Sequence, residues 1–443
     1  MRLAVLLLAV TATLALVPAA DASNTPAQTA ALCDSLFGST FGAPSSEPLA
    51  SCQWDMSLIG ATASSAWTGA TGRGVSVGVI DTGADMTHPD VAPNLDVARS
   101  CSFIFSTTPT ALPQEVGNGN CANKAAVQDV NGHGTHVSSE IAAPVNGIGI
   151  AGVAPEAKIV ALHACTVVGF CFADSVAAAL RYAGDQRLDV VNLSLFADPY
   201  LFYCGNDAQQ RSILKSMTDA AKYAQQRGVL IVAAAGNEGL NLRHPPQFDT
   251  ISPDYPPDSA EVRRVRNNCR VAPAEIPGVI SVSAVGPIGI DGYTQWLASY
   301  SSIGGDVAGP GGDYFAATGT VQDAVIGAWS STGMDGTWEV FDFLNDNGLP
   351  GLATLSGSAR YIFINGTSMA TPHVTGVAAL VKQRHPDWSQ GAVAAAVLRS
   401  ASTLTCPPEW HPESADDSRA CTGGSTNSFF GHGLVNAAAA AHS

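Results

Sequence analysis

The stretch from Asn365 to Leu380, NGTSMATPHVTGVAAL, places a serine where an apolar helix is predicted to begin. Ser368 could cap this helix by accepting a backbone N–H, and Pro372 would suit its first turns. Alternatively, the free N–H groups and the positive end of the helix dipole would support a hydroxyl nucleophile, provided that a base removes its proton. The stretch alone leaves both interpretations open, so the base must be sought elsewhere in the chain.

Three further polar residues lie in glycine-rich turns beside predicted strands or helices. Asp81 directly follows an apolar run, His133 lies in NGHGTHV, and Asn237 lies in VAAAGNEG. Each has a structural alternative: Asp81 and Asn237 as turn residues, and His133 as a buried structural histidine or, with His136, a metal ligand of poor spacing. Together with Ser368, however, they supply the orienter, base, oxyanion donor and nucleophile that a serine hydrolase needs.

The elements that must position these residues are predicted from apolar runs. Strands are predicted over 75–80, 159–162, 190–195, 229–235 and 279–285, and helices over 137–143, 175–183 and 218–226. Continuous apolar strands alternating with helices predict an α/β fold with a doubly wound, mostly parallel sheet and helices on both faces. In such a sheet, sites gather outside the carboxyl ends of the strands, and Asp81 occupies such a position.

Composition and charge limit the class of protein. The chain has 443 residues, 46% of them hydrophobic and 13% charged, and a net charge of −16. This acidic balance argues against nucleic acid or an anionic membrane as a partner. Residues 1–22 resemble a secretory signal peptide, because Arg2 precedes an apolar run too short for a membrane span and small residues follow it. We therefore expect a secreted, extracellular, monomeric protein.

Behind the signal peptide, residues 23–52 are predicted as a short N-terminal segment without regular structure, and 53–443 as one large domain. Two stretches interrupt the strand–helix rhythm, at about 240–270 and 331–359, and are predicted as surface insertions. The ten cysteines are an even number in a predicted secreted chain, so we expect disulfides. A near-neighbour pattern would pair Cys33–Cys52, Cys101–Cys121, Cys165–Cys171, Cys204–Cys269 and Cys406–Cys421.

The chain resembles the subtilisin-like serine proteases, or subtilases. The motifs that carry the resemblance are VIDTG with THPD, HGTHV, GVAP, NLSL, AGNEG, GTSMATPHV and the closing GHGLVNAAAAA. The related sedolisins have Glu in place of the histidine, so His133 favours the subtilases. The resemblance implies Ser368 as nucleophile, His133 as base, Asp81 as its orienter, and an oxyanion hole made by the Ser368 N–H and the Asn237 amide. It implies that His373 is a packing residue.

The resemblance also implies where a peptide substrate lies. Relatives bind it as an added strand between two edge segments, which here are Ser194, Leu195 and Phe196 on one side and Gly169, Phe170 and Cys171 on the other. Phe170 and Phe196 would narrow the cleft. Glu238 corresponds to a residue at the rim of the primary specificity pocket, where it would favour a basic substrate side chain or remain a solvated charge.

A structural calcium ion is a further implication of the resemblance. The corresponding ligands are Gln53, Asp90 and Asn146, with the backbone carbonyls of Pro144, Ile148 and Ile150. Calcium takes six to eight oxygen ligands, which this set supplies, although an ordinary Gly–Asn turn is the alternative. No cofactor is expected for catalysis. Two other functions remain open: a binding module that has lost activity, and an esterase or peptide ligase that uses the same acyl-enzyme.

Overall fold

The computed structural model describes residues 25–289, 297–332, 353–356, 359–407 and 420–443. The predicted signal peptide lies outside this range, as does most of the predicted insertion at 331–359. The strands are β1 (Ser76–Asp81), β2 (Cys101–Ser102), β3 (Lys158–His163), β4 (Val190–Leu193), β5 (Phe202–Cys204), β6 (Leu230–Ala234), β7 (Phe248–Asp249), β8 (Arg263–Arg264), β9 (Cys269–Val271), β10 (Val279–Val285), β11 (Val307–Pro310), β12 (Val325–Trp329), β13 (Ala353–Ser356) and β14 (Ala359–Ile364).

The α-helices in the same residues are α1 (Pro26–Phe37), α2 (Trp54–Leu58), α3 (Ala66–Gly69), α4 (His133–Ala142), α5 (Ala173–Asp185), α6 (Ala208–Gln225), α7 (Thr367–Arg384), α8 (Gln390–Ser400) and α9 (Ala437–Ala441). Short 3-10 helices cover Ala50–Cys52, Ala92–Asn94, Lys124–Val127 and Val321–Asp323.

A seven-stranded sheet in the order β11-β10-β6-β4-β1-β3-β2 forms the centre of the molecule. Every neighbouring pair in this sheet is parallel. After β1 the chain forms β2 at one edge of the sheet and then β3 between β2 and β1, and it crosses over to place β4 on the other side of β1. The predicted doubly wound α/β fold is therefore confirmed, and the carboxyl ends of β1 and β4 flank the point where the strand order reverses.

Both faces of the sheet are buried, which explains why its strands read as continuous apolar runs. Alternate side chains of β1 enter different cores: Val77 and Val79 pack in the core that contains α4 and α7, and Ile80 packs in the core that contains α5 and α6. Helix α7 is buried over most of its 18 residues. Its small side chains permit this close packing: a Cβ on Gly376 would lie 2.5 Å from the side chain of Val153.

A second, three-stranded antiparallel sheet has the order β12-β14-β13. Strand β14 ends at Ile364 and leads directly into α7, and β12 packs on α4. The predicted insertion at 240–270 contains β7 and β8, which pair with each other, and β9 begins at its end and pairs with β5.

All five predicted disulfides are present, and no described cysteine is free. Cys204–Cys269 joins β5 to β9 at the end of the 240–270 segment. Within the N-terminal segment, Cys33–Cys52 joins α1 to the 3-10 helix Ala50–Cys52, which directly precedes α2.

Two predictions of secondary structure were wrong. The N-terminal segment was predicted as loop, but it contains α1, which has a complete capping box: the Thr25 hydroxyl accepts the Gln28 N–H and the Gln28 side chain accepts the Thr25 N–H, with Pro26 at the first helical position. Helix α6 was predicted to begin at 218, but it begins ten residues earlier, where the Asp207 carboxylate accepts the Gln210 N–H. Both starts carry local capping signals.

Candidate active site

A buried carboxylate and an imidazole meet at the end of β1. Asp81 Oδ1 lies 2.8 Å from His133 Nδ1, and Asp81 is 1% exposed. The Thr82 N–H also donates to Asp81 Oδ1, at 2.7 Å. Burial lowers the pKa of His133, but the Asp81 carboxylate and then Asp129 oppose it, so the pKa lies above its ordinary value. This pairing fixes Nδ1 as the protonated nitrogen and leaves Nε2 as the basic one.

Asp129 explains how the turn before His133 is held. Its carboxylate is fully buried and accepts hydrogen bonds from Thr82 Oγ1, from the backbone N–H groups of Asn131, Gly132 and Thr135, and from Thr135 Oγ1. It therefore joins the Asp81 turn to the start of α4. Gly132, with φ of +123°, also packs on the Trp329 ring, and a Cβ there would lie 2.3 Å from that ring. Only glycine satisfies both conditions.

Ser368 is the second residue of α7 and does not cap it. The cap position belongs to Gly366, which makes no side-chain capping bond. The Ser368 N–H has no partner among the described residues, as expected for the second residue of a helix. The hydroxyl donates to the carbonyl oxygen of Ser194 at 3.1 Å. In this structure the hydroxyl makes no hydrogen bond to His133.

Pro372 lies inside α7 rather than in its first turn, which corrects the prediction. Because proline has no N–H, it cannot bond the carbonyl oxygen of Ser368 four residues earlier. The Ser194 hydroxyl occupies that acceptor instead, at 2.7 Å. Ser194 Oγ in turn accepts from Asn192 Nδ2 at 2.9 Å. The backbone of Ser368 is thus anchored to the end of β4.

Asn237 faces the same helix start from the end of β6. Its Oδ1 accepts the backbone N–H and the hydroxyl of Thr367, each at 2.8 Å. Because the N–H can only donate, the atom facing it must be the amide oxygen, and the NH₂ group must point the other way. Among the described residues that NH₂ has no hydrogen-bond partner. Its free N–H bonds and that of Ser368 are both available to a developing oxyanion.

Comparison with known proteins agrees with this geometry. The profile of the subtilase family (Peptidase_S8) matches residues 72–433. The chain is 31% identical over 392 residues to subtilisin Savinase from Lederbergia lenta, covering 88% of this chain and 98% of that one. It is 29% identical over 374 residues to subtilisin E from Bacillus subtilis (strain 168), covering 84% of this chain and 67% of that one.

The chain belongs to the subtilase family. It is a serine-type endopeptidase that acts on proteins or peptides. The solved structure of fervidolysin from Fervidobacterium pennivorans, described as a keratinolytic enzyme related to subtilisin, has the same fold. Its TM-score is 0.59 at 24% identity, over 90% of this chain and 46% of that one.

The two predicted substrate edges of this subtilase lie side by side. The Asp198 N–H donates to the Cys171 carbonyl at 2.9 Å, and the Asp198 carboxylate accepts the Cys171 N–H, so the edges join beyond Phe170 and Phe196. Gly169 is exposed in a turn with φ of +89°. Leu195 is buried in the core beside α5 and α6. The Ser194 side chain bonds to Ser368 and is therefore not available to a substrate.

Aromatic side chains cover one edge. The Phe170 ring lies 5.8 Å from Phe172 and 5.5 Å from Tyr255, which comes from the 240–270 insertion. Phe196 packs on a small core that also includes residues of the insertion. Glu238 turns back toward the backbone of Gly236, since a Cβ on that glycine would lie 2.6 Å from Glu238 Oε2. Sequence reasoning missed Tyr255, because no local signal connects it with Phe170.

Three residues predicted as calcium ligands, Gln53, Asp90 and Asn146, make hydrogen bonds to one another or to the loop after α4. Asp90 is fully buried and accepts hydrogen bonds from Asn146 Nδ2, the Ile150 N–H and the Tyr361 hydroxyl. Gln53 bonds both backbone groups of Ala151.

Glu47 is a residue of this region that sequence reasoning missed. It is 5% exposed, and its Oε1 accepts the Gly147 N–H at 3.1 Å. Its Oε2 is buried without a hydrogen-bond partner in the described chain. Burial and the nearby Glu47 carboxylate raise the pKa of Asp90 to about 7. Two buried carboxylates, one of which has an oxygen without a hydrogen-bond partner in the described chain, lie close to the Asn146 amide and would suit a hard cation.

Proposed function

We propose that this subtilase hydrolyses peptide bonds through an acyl-enzyme on Ser368, with His133 as the general base and Asp81 as its orienter. The observation that carries the proposal is the 2.8 Å contact between Asp81 Oδ1 and His133 Nδ1, at the switch point of the sheet and beside the head of α7. The chain has a residue for each of the four roles of nucleophile, base, orienter and oxyanion donor. An inactive binding module would be expected to lack at least one of them.

The chemistry assigns each group one task. Ser368 Oγ attacks the carbonyl carbon of the substrate while His133 Nε2 takes its proton. The resulting oxyanion accepts hydrogen bonds from the Ser368 N–H and the Asn237 NH₂ group. His133 then gives the proton to the leaving amine, the C–N bond breaks, and the acyl group stays on Ser368. Water, activated by the same imidazole, hydrolyses that ester and restores the serine.

The substrate would lie as an extended strand between Gly169 and Phe170 on one edge and Ser194–Phe196 on the other, because both backbone groups of Cys171 are already bonded to Asp198. The aromatic cover of Phe170 and Tyr255 favours apolar substrate side chains on that edge. Localisation outside the cell and the monomeric state remain predictions. Among the described residues, no helical segment combines the length and the hydropathy of a membrane span.

We also propose a structural calcium ion held by Gln53, Asp90, Asn146 and the carbonyls of Pro144, Ile148 and Ile150, with Glu47 as an additional ligand. When bound, it would neutralise two buried carboxylates and tie the N-terminal segment to the loop after α4. It takes no part in the reaction. Because such an ion binds only the folded state, it would add stability by mass action.

A fluorophosphonate probe tests the proposed nucleophile. We expect one labelled serine per wild-type molecule, mapped to Ser368, and neither labelling nor peptide cleavage in Ser368→Ala. The exposed Ser212 on α6 provides the matched control, and Ser212→Ala should label normally. Full cleavage by Ser368→Ala would overturn the assignment. Product analysis in water with an added amine acceptor separates hydrolysis from ligation.

A further inference from the structure

A buried cluster of titratable side chains lies beneath the His133–Asp81 pair and has no part in the reaction described above. Its members are Asp55 on α2, His136 and Glu140 on α4, and His373 on α7. Each is at most 3% exposed. Buried ionisable groups cost free energy unless they are paired or neutral, so their arrangement requires an explanation.

Hydrogen-bond geometry restricts where the protons lie. His136 Nε2 is 3.3 Å from the carbonyl oxygen of Ile362, which can only accept, so Nε2 carries a hydrogen. His136 Nδ1 is 2.5 Å from Glu140 Oε1. Two arrangements satisfy this contact: an imidazolium that donates a hydrogen bond to a carboxylate, or a neutral imidazole whose Nδ1 accepts a hydrogen bond from a neutral carboxylic acid.

The surroundings favour the neutral pair. Two other carboxylates, Asp55 and Asp81, act on Glu140, and burial together with these charges raises the pKa of Glu140 well above its usual range. Burial, and then the nearby His133, lower the pKa of His136 to about 3. Glu140 Oε2 has no hydrogen-bond partner among the described residues, a deficit that costs less for a neutral carbonyl oxygen than for a charged one. Glu140 therefore acts as a hydrogen-bond donor.

The neutral pair of Glu140 and His136 links α4, which carries His133, to β14, which leads into the helix of Ser368. His136 follows His133 by one helical turn, and Ile362 lies on β14, the strand that leads into Ser368. On its other side, Glu140 Oε2 approaches His373 Nδ1 on α7 to 3.6 Å. His373 is itself held by the Met369 carbonyl and by Asp55 Oδ2, each at 2.8 Å. Glu140 thus lies between the helix of the base and the helix of the nucleophile.

The backbone around His136 allows it little freedom. A Cβ on Gly327 of β12 would lie 2.5 Å from the His136 ring. The next strand residue, Ala328, donates its N–H to Ser139 Oγ on α4 at 2.9 Å. Because the ring cannot turn freely, its two hydrogen bonds fix the position of α4 relative to β14.

We propose that Glu140 is a positioning residue of this active site: as a neutral carboxylic acid it donates a hydrogen bond to His136 Nδ1, and so holds the helix that carries His133 against the strand that leads into the Ser368 helix. The inference rests on the proposed function. The groups that face the pair are Asp55 from α2, Asp81 from β1, His133 from α4 and His373 from α7. When Glu140 ionises at high pH, the hydrogen bond to His136 is lost and a third carboxylate charge enters the cluster.

Two substitutions of Glu140, by glutamine and by leucine, distinguish a neutral hydrogen-bond donor from a charged carboxylate and from a side chain without influence on activity. Glu140→Gln retains a neutral donor toward His136 Nδ1, whereas Glu140→Leu leaves that nitrogen without a donor in a buried site. Glu156→Gln, which removes the carboxylate of a surface pair with Arg73, is the matched control. Turnover is measured against pH and expressed per active site titrated with the fluorophosphonate probe, so that unfolded protein does not contribute.

At neutral pH we expect Glu140→Gln to keep kcat within about threefold of wild type, and Glu140→Leu to lose about tenfold or more with KM changed less than about twofold. Glu140→Gln should also extend activity to higher pH than wild type, and Glu156→Gln should match wild type throughout. If Gln loses as much kcat as Leu, Glu140 acts as a carboxylate and the proposal is wrong. Wild-type kcat in Glu140→Leu would equally refute it.

Should Glu140→Leu yield no titratable sites, Glu140→Gln alone decides: a wider alkaline range supports the proposal, and a tenfold loss or an unchanged alkaline limit overturns it. Failure of the proposed function would look different, because the wild-type protein would then show no labelled Ser368 at all.

Discussion

Substitution of Asn237 separates the structural contact that its amide oxygen makes from the oxyanion-binding role that we propose for its NH₂ group. Its oxygen accepts two hydrogen bonds from Thr367 at 2.8 Å, which fix the start of α7, and its NH₂ group is free to bind an oxyanion. Asn237→Ala removes both tasks. Asn237→Asp keeps an acceptor oxygen toward Thr367 but removes the donor and adds a negative charge where the oxyanion forms.

The two tasks predict different magnitudes. Loss of one oxyanion donor costs about 10²–10³ in kcat, the effect known for the equivalent donor of subtilisin, or roughly 2.7–4 kcal/mol of transition-state stabilisation. Both variants should show at least this loss, and Asp the larger one. Loss of the two bonds to Thr367 should lower the free energy of unfolding by about 1–2 kcal/mol in Asn237→Ala only.

The assay is kcat at saturating peptide, normalised to titrated sites, together with denaturant unfolding of each variant in a Ser368→Ala background to prevent self-digestion. KM should change little, because the bond to the oxyanion forms in the transition state. Wild-type kcat in Asn237→Asp would refute the donor role. Equal unfolding free energies for Ala and wild type would refute the anchoring of Thr367.

Two further results are expected. The base must be neutral, and the Asp81 carboxylate holds the pKa of His133 above its ordinary value of about 6.5. We therefore expect kcat/KM to fall as the pH drops through a midpoint above about 6.5. A midpoint below 6, or a profile flat to pH 4, would contradict a histidine base. Chelation of calcium should lower the melting temperature and speed self-digestion, while initial turnover in the cold stays nearly unchanged. Glu47→Gln should weaken the stabilisation by added calcium. Equal melting temperatures with excess calcium and with excess chelator would argue against the site.

Much of the site could be predicted from the sequence because its signals are local. Each of Asp81, His133, Asn237 and Ser368 lies in a short run that combines an apolar element with a glycine-rich turn. Strands buried on both faces read as apolar runs, and their alternation with helices fixes the fold class. The capping box at Thr25 is equally local, so α1 was predictable as well; its apolar residues follow only a weak helical pattern, which is why it was missed.

Tertiary structure decided the contacts between distant segments. The bonds of Asn237 to Thr367 and of Ser194 to Ser368 span 130 and 174 residues, and nothing near either partner specifies the other. Pro372 appears unfavourable in its own helix until the Ser194 hydroxyl is seen on the carbonyl that the proline leaves free.

The same holds for the buried acids. From the sequence, Glu47 and Glu140 are ordinary glutamates, one in a predicted loop and one on a helix. Packing removes both from water and brings other carboxylates near them, and this change of surroundings alters their chemistry. Local sequence therefore determined the elements and the reacting groups, whereas the order of the strands decided which groups meet, because sheet order brings together residues that are far apart in the chain.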